Sequence, residues 1–132
     1  MGADRLISSG SPWEAKVGYS RAVVAGNHVH VSGSTATVDG VVQHPGDAYR
    51  QTLTAIGVIE AALAQVGLTV EDIVRTRVYV GSAEHLDAVA KAHGEVFGEI
   101  RPAATMLAGL TFVDPAMLVE IEADAYSTSL TA

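Results

Sequence analysis

The chain has 132 residues, a formal net charge of −7 and no cysteine. This length is most simply one domain, residues 1–132, with a single two-layer core. The negative charge argues against a nucleic-acid partner, because such binding depends on Lys and Arg side chains that neutralise phosphates. The absence of cysteine excludes disulfides, thiol nucleophiles and thiolate metal sites.

Apolar residues make up 48% of the sequence and charged residues only 17%. Because a small monomer needs a large polar surface, we expect part of the apolar surface to be buried between copies of the chain. No stretch approaches the roughly 18 uninterrupted apolar residues of a membrane-spanning helix, and residues 1–5 lack the apolar core of a signal peptide. The sequence therefore predicts a cytoplasmic protein without a membrane partner.

The first third of the chain has the pattern of short strands. Residues Arg5 to Ser8 form a predicted first strand, and residues 10–14 have loop chemistry. Two further strands, Ser20 to Ala25 and His28 to Ser32, are joined by the dipeptide Gly26-Asn27. Because these two residues tolerate positive φ, the pattern predicts a β-hairpin.

Two later segments have the i, i+3, i+4 apolar spacing of amphipathic helices. Asp47 is the expected N-cap of the first helix, which runs to about Val66 and is closed by Gly67. Ser82 is the expected N-cap of the second helix. The predicted buried stripe of this second helix is Leu86, Val89, Ala90, His93 and Phe97.

Two strands in the second half bring charged residues together. Alternation in Ile73 to Val80 places two sets of side chains on opposite faces: Val74, Thr76, Val78 and Val80 on one, and Ile73, Arg75, Arg77 and Tyr79 on the other. The last strand, Leu118 to Tyr126, follows a turn at Asp114-Pro115. It carries Glu120, Glu122 and Asp124 on one face, where ion pairs with the two arginines are available.

These elements predict an α+β fold in which a mixed sheet of about six strands carries two helices on one face. The other face combines paired charges with apolar residues, which is more typical of a subunit contact than of open solvent. We therefore expect a homo-oligomer.

Several segments in this order and spacing carry a family resemblance. They are Gly18–Val23, Val31–Ser34, Ala61–Leu68, Glu71–Thr76, Pro102–Thr105 and Val119–Ala123. Over essentially its whole length the chain resembles the reactive intermediate/imine deaminase family, RidA or YjgF-like. The resemblance implies a chorismate-mutase-like fold and a homotrimer with small-molecule pockets between subunits. It also implies hydrolysis of reactive imines and enamines to 2-keto acids and ammonia by a positioned water, without a metal or organic cofactor.

Four residues match pocket positions of that family. Tyr19 matches its pocket tyrosine, although Gly18 replaces the usual preceding proline. Ser32 and Gly33 match a serine–glycine pair, where the glycine lets backbone approach a ligand. Glu120 matches the glutamate that holds the attacking water.

The resemblance thus implies Glu120 and Tyr19 as catalytic residues. A partly buried carboxylate suits this role, because burial moves its pKa toward neutrality. On the residues alone, Glu120 could instead be an ion-pair partner of Arg75 or Arg77.

Two positions depart from the family pattern. Ala104 stands where deaminating members place an arginine whose planar fork holds the substrate carboxylate, and Ala90 stands where an asparagine is expected. A charge-assisted hydrogen bond is worth roughly 1.5–3 kcal/mol, so we expect 2-imino acids to bind weakly. Strand alternation places Arg101 on the opposite face from Ala104, which makes it a poor replacement. Thr105 could offer a hydroxyl near the missing guanidinium.

Three further groups of residues are candidates for a ligand or metal site, and each is weighed against a purely structural role. Trp13, the only tryptophan, could cover a ligand near Tyr19 or pack the N-terminal loop. His93 could supply a polar group near Ala90 or be a core histidine with its hydrogen bonds satisfied. His28 and His30 alternate on one strand, but without a third ligand they predict no metal site.

The sequence therefore predicts a RidA-like homotrimer that acts as a cofactor-free, deaminase-like hydrolase on a small imine other than the usual 2-imino acids. The predicted substrate-binding residues are Ser32, Gly33, Trp13, His93, Ala104 and Thr105. The alternative is a non-catalytic metabolite-binding or regulatory protein that uses the same clefts, which Ala90 and Ala104 favour. An endoribonuclease, an activity also attached to the family, agrees least with the acidic balance and the lack of a basic groove.

Overall fold

The computed structural model describes residues 5–131 and places six strands in one mixed sheet of order β1-β2-β3-β8-β6-β7. These strands are β1 (Arg5–Ile7), β2 (Ala22–Ala25), β3 (His28–Ser34), β6 (Ile73–Val80), β7 (Ala103–Ala108) and β8 (Val119–Tyr126). Neighbouring strands are antiparallel except for the parallel pair β6 and β7. A separate two-stranded hairpin contains β4 (Thr37–Val38) and β5 (Val41–Val42).

Two long helices, α2 (Ala48–Ala64) and α3 (Leu86–Phe97), pack on one face of the sheet. As predicted, the side chain of Asp47 caps α2 by accepting a hydrogen bond from the N–H of Arg50 at 3.0 Å. Gly67 reverses the chain after α2 with a φ of +77°. Within residues 5–131, no helix has both the length and the apolar character needed to cross a membrane.

The core lies between these helices and the sheet. On β8 the residues Val119, Ile121, Ala123 and Ala125 are buried, and they alternate with acidic residues that point away from the helices. The predicted fold class is therefore confirmed: one mixed six-stranded sheet carries two helices on a single face.

The predicted loop at residues 10–14 is wrong, because this segment begins the short helix α1 (Pro12–Val17). Ser11 caps it, with its hydroxyl oxygen accepting from the N–H of Trp13 at 3.3 Å. Pro12 stands at the first helical position, where a missing N–H costs nothing. Gly18, at a φ of +92°, ends the helix after six residues.

Three further predictions about individual residues are also corrected. A β-bulge between Ile73 and Arg75 shifts the register against β8, so that Ile73 is buried and Val74 is exposed. Before α3, the hydroxyl of Ser82 makes no cap hydrogen bond, and a 3₁₀ turn precedes the helix. Ala90 is exposed and not part of the buried stripe of α3.

The loop before β8 is fixed to α2 by the fully buried side chain of Gln51. Its Nε2 donates to the carbonyls of Ala116 at 2.9 Å and His44 at 3.3 Å. Its Oε1 accepts from the N–H of Leu118 at 2.9 Å, one residue before β8 begins.

We expect Gln51→Leu to lower the free energy of unfolding by about 2–4 kcal/mol, because it leaves partners in the loop unpaired at about 1–3 kcal/mol each. Urea denaturation measures this change. The control is Gln65→Leu, which removes a single exposed hydrogen bond to the Ser8 carbonyl and should change stability by less than about 0.5 kcal/mol. Equal losses in the two variants would contradict the role assigned to Gln51.

Candidate active site

The face of the sheet opposite α2 and α3 carries the three carboxylates of β8. Arg77 Nη1 lies 3.3 Å from Asp124 Oδ2 and 3.6 Å from Glu122 Oε1, which confirms the predicted cross-strand ion pairs for this arginine. Tyr79 also donates to Glu122 at 2.9 Å, and His30 lies 2.8 Å from Asp124. Glu122 and Asp124 are therefore structural partners of neighbouring strands.

Glu120 differs from these two carboxylates because it forms no direct hydrogen bond or ion pair with a residue in the range 5–131. It pairs in register with Tyr79 on β6 and is half-buried. The interpretation of Glu120 as a partner of Arg75 or Arg77 is thus not supported by the geometry.

The backbone of Gly33 lies directly against the carboxylate of Glu120. A Cβ atom on Gly33 would stand 2.6 Å from Oε2 and 2.9 Å from Cδ of Glu120, so any side chain at position 33 would displace the carboxylate from its place. The approach occurs where the pairing of β3 with β8 shifts register, between Val31 and Ser34. A glycine at this bulge is therefore required by the position of the carboxylate.

The surroundings of Glu120 make its ionised form less favourable than it would be in water. Burial raises the pKa of the Glu120 carboxyl above its ordinary value, and the negative charge of Glu122 adds to the increase. The positive charge of Arg21 acts in the opposite direction without cancelling the effect of burial. A carboxylate with a raised pKa that points away from the core is suited to exchange protons with a bound water.

The guanidinium of Arg21, which sequence reasoning did not select, organises the bulge beside Glu120. Arg21 is only 7% exposed. Its Nη1 donates to the carbonyl of Gly33 at 2.6 Å, to that of Ser32 at 3.4 Å and to Ser34 Oγ at 3.0 Å. Its Nε is buried without a hydrogen-bond partner among residues 5–131. The signal in the sequence was an arginine one residue before an apolar strand, which alone does not show burial.

Tyr19 and Ser32 both belong to this arrangement. Arg21 Nη2 donates to the Tyr19 hydroxyl at 3.3 Å, and the guanidinium carbon lies 5.5 Å from the tyrosine ring centre. The Ser32 hydroxyl donates to the carbonyl of Ser20 at 2.7 Å. The structure therefore brings together Tyr19, Ser32, Gly33 and Glu120, with Arg21 as the group that connects them.

Another group of predicted residues lies on the helix side of the sheet. His93 Nε2 is 2.9 Å from Thr76 Oγ1, and its ring is 4.6 Å from that of Phe97. Burial lowers the pKa of the His93 imidazole, so the ring is neutral at pH 7. Ala104 pairs in register with Thr76, and its side chain therefore points to the same side as His93.

A cleft of about 470 Å³ opens beside His93 between α3 and the start of β7. It is lined by His93, Gly94, Phe97, Gly98, Arg101 and Pro102. The predicted placement of Arg101 on the face opposite Ala104 is wrong, because Arg101 lines this cleft together with His93, on the same side of the sheet as Ala104. Strand alternation does not extend back to Arg101, since β7 begins only at Ala103.

The remaining candidates stand apart from both groups. Thr105 pairs in register with Arg77 and faces away from α2 and α3. Trp13 lies on α1, 53% exposed, with Lys16 Nζ 5.0 Å from its ring centre. His28 and His30 stack at 6.0 Å, but within residues 5–131 no three His, Asp or Glu side chains form a group that could hold a metal.

Comparisons with known proteins agree with this fold. The sequence profile described as Endoribonuclease L-PSP matches residues 10–127. An uncharacterized protein of Streptomyces coelicolor is 43% identical over 124 residues, which cover 94% of this chain and 92% of the relative. A RutC family protein of Pyrococcus abyssi is 30% identical over 111 residues, which cover 82% of this chain and 85% of the relative.

A solved structure gives the same result. A crystal structure from Mycobacterium tuberculosis, described as a member of the YjgF/YER057c/UK114 family, is 44% identical with a TM-score of 0.83. The match covers 93% of this chain and 98% of that one. The chain therefore belongs to the YjgF/UK114 (RidA) family, as its sequence motifs predicted.

Proposed function

We propose that this protein is a cofactor-free hydrolase of a small imine, with Glu120 as the group that activates water. The observation that carries the proposal is the state of Glu120: of the three carboxylates on the open face, it alone is half-buried without a direct partner in residues 5–131. Glu122 and Asp124, by contrast, make the ion pairs and hydrogen bonds that are expected of carboxylates that stabilise the fold.

The proposed reaction needs only water and one proton-transfer group. Ionised Glu120 takes a proton from water as the oxygen attacks the carbon of the protonated imine, which gives a neutral carbinolamine. Protonated Glu120 then returns this proton to the nitrogen. As the C–N bond breaks, the ionised carboxylate takes the hydroxyl proton and passes it to the leaving ammonia, so that a ketone and an ammonium ion leave. The Ser32-Gly33 backbone lies against Glu120, and Arg21 links Tyr19 to this bulge. These groups would hold the substrate beside Glu120.

We further propose that the complete pocket lies between subunits of a homotrimer. Glu120 and Ala104 point to opposite sides of the sheet, so one small ligand can touch both groups only if two chains supply them. Sedimentation at micromolar concentration tests the assembly, and a species of 13.7 kDa, the mass of one chain, would contradict it.

Two other functions have less support. Exposed alanines at positions 90 and 104 provide no polar contact and favour a metabolite-binding protein without turnover. Hydrolysis of RNA, the activity in the name of the matching profile, is opposed by the net charge of −7 and by the carboxylates on the open face.

Replacing Glu120 should abolish hydrolysis. We expect Glu120→Gln to lower kcat/KM by about 10²–10⁴-fold, the usual contribution of a positioned proton-transfer group. Ammonia release from freshly generated imines measures this. The control, Glu122→Gln, changes the neighbouring carboxylate that hydrogen-bonds Tyr79 and should retain activity within about tenfold. Ligand binding without ammonia release in the wild type would favour the metabolite-binding function.

Ala104→Arg should improve hydrolysis of 2-aminoacrylate, because it restores a guanidinium at the position that holds the carboxylate in related deaminases. A charge-assisted hydrogen bond predicts a gain in kcat/KM of about tenfold or more. Ala104→Met, which adds length without charge, is the control. Full activity of the wild type on 2-aminoacrylate, with no gain in the arginine variant, would contradict the proposal that the substrate is an imine other than the usual 2-imino acids.

The pH profile should report the charges around Glu120. Because ionised Glu120 is the active form and its pKa is raised, activity should fall as the pH drops through that raised pKa. Arg21→Gln removes the charge that lowers the pKa, so the acid limb should move to higher pH. Glu122→Gln removes the charge that raises it, so the limb should move to lower pH. Arg21→Lys is the charge-retaining control, and identical profiles for all variants would contradict this role of Glu120.

A further inference from the structure

Arg101 has a backbone conformation that its side chain makes costly. Its φ of +56° lies in the left-handed region, which glycine adopts freely and where a Cβ atom is strained. Its N–H donates to the carbonyl of Phe97 at 2.8 Å, as a glycine that ends a helix would do. The turn after α3 would therefore be better served by glycine. Non-glycine residues in this region are concentrated at functional sites.

The side chain of Arg101 lines the 470 Å³ cleft beside His93. Because burial keeps His93 neutral, Arg101 is the one charged residue among those that line the cleft. Its guanidinium forms no ion pair or side-chain hydrogen bond with residues 5–131. The cation is therefore free to bind an external anion. The rings of His93 and Phe97 provide an apolar wall beside it.

Position 104 supplies no charge to this side of the sheet. Ala104 lies on the same side of the sheet as His93 and adds only a methyl group there. Among Ala104 and the residues that line the cleft, Arg101 is therefore the cation available to an anionic ligand.

We propose that Arg101 is the anion-binding residue of this cleft, and that it holds the carboxylate of an imine substrate where position 104 offers no cation. The identification of the ligand as an imine rests on the function proposed above. The anion site itself rests on the conformation and surroundings of Arg101.

Stable ketones can test this site in the full-length protein. The probes are 4-oxopentanoate with a remote carboxylate, pyruvate with an adjacent carboxylate, and neutral 2-pentanone, each titrated by NMR. We expect the wild type to bind 4-oxopentanoate about tenfold or more tightly than 2-pentanone, which has the same number of carbons but no carboxylate. Arg101→Gly should remove this preference without weakening 2-pentanone, whereas Arg101→Lys should retain part of it. Arg75→Ala, which removes an exposed arginine on β6, should change nothing.

Thermal unfolding separates this role from a structural one. Arg101→Gly should raise the melting temperature, because glycine relieves the left-handed strain. A lower melting temperature with equal weakening of all three ketones would overturn the inference, as would unchanged binding of 4-oxopentanoate. Binding that depends on Arg101, without imine hydrolysis, would support the anion site and refute the proposed hydrolase. Hydrolysis that depends on Glu120, without binding that depends on Arg101, would support the hydrolase and refute the anion site.

Discussion

The pairing of β3 with β8 is the constraint on which the candidate site depends. Its register shifts between Val31 and Ser34, and this bulge carries Gly33 to within contact distance of the Glu120 carboxylate. The partial burial of Glu120 therefore comes in part from backbone, which cannot rotate away as a side chain could.

Arg21 makes this bulge stable and also influences its chemistry. The carbonyls of Ser32 and Gly33 leave the regular ladder at the bulge, and the buried guanidinium supplies donors to both. Burying a cation is costly unless acceptors surround it, so the bulge and Arg21 stabilise each other. Because the cation then lies close enough to lower the pKa of Glu120, one residue couples the local fold to the protonation of the site.

Glu14 extends this coupling to the N-terminal segment. It accepts hydrogen bonds from Ser8 at 2.8 Å and from the Ser9 N–H at 3.1 Å. Burial opposes its ionisation, but the hydrogen bonds from Ser9 and Ser8 and the charge of Arg21 hold the pKa of Glu14 below its ordinary value. The ionised carboxylate balances part of the charge of Arg21, so α1 contributes to the electrostatics of the site although it carries none of its proposed catalytic groups.

Features that depend on periodicity and capping were predictable from the sequence. The Asp47 cap, the stripe of α2 and the acidic face of β8 follow from local rules that the tertiary structure does not override. The bulge at Ile73 and the helix α1 were missed, because an inserted residue and a six-residue helix leave almost no periodic signal. The burial of Arg21 was missed because it depends on contacts between segments that are distant in sequence. The turn at Arg101 was missed because it depends on a backbone angle that strand alternation cannot show.

The two halves of the proposed pocket are controlled by different parts of the fold. The water-activating half follows from strand register and the Arg21 network, so changing it would disturb the sheet itself. The ligand-binding half follows from Arg101 in the turn after α3 and from Ala104 at the start of β7, and neither residue has a large role in the core. If the two halves meet between subunits, substitutions near this turn can change which ligand is bound while the arrangement around Glu120 stays the same. Under the proposed function, the exposed Ala104 and the strained Arg101 determine which ligand is bound, while the reaction at Glu120 stays the same.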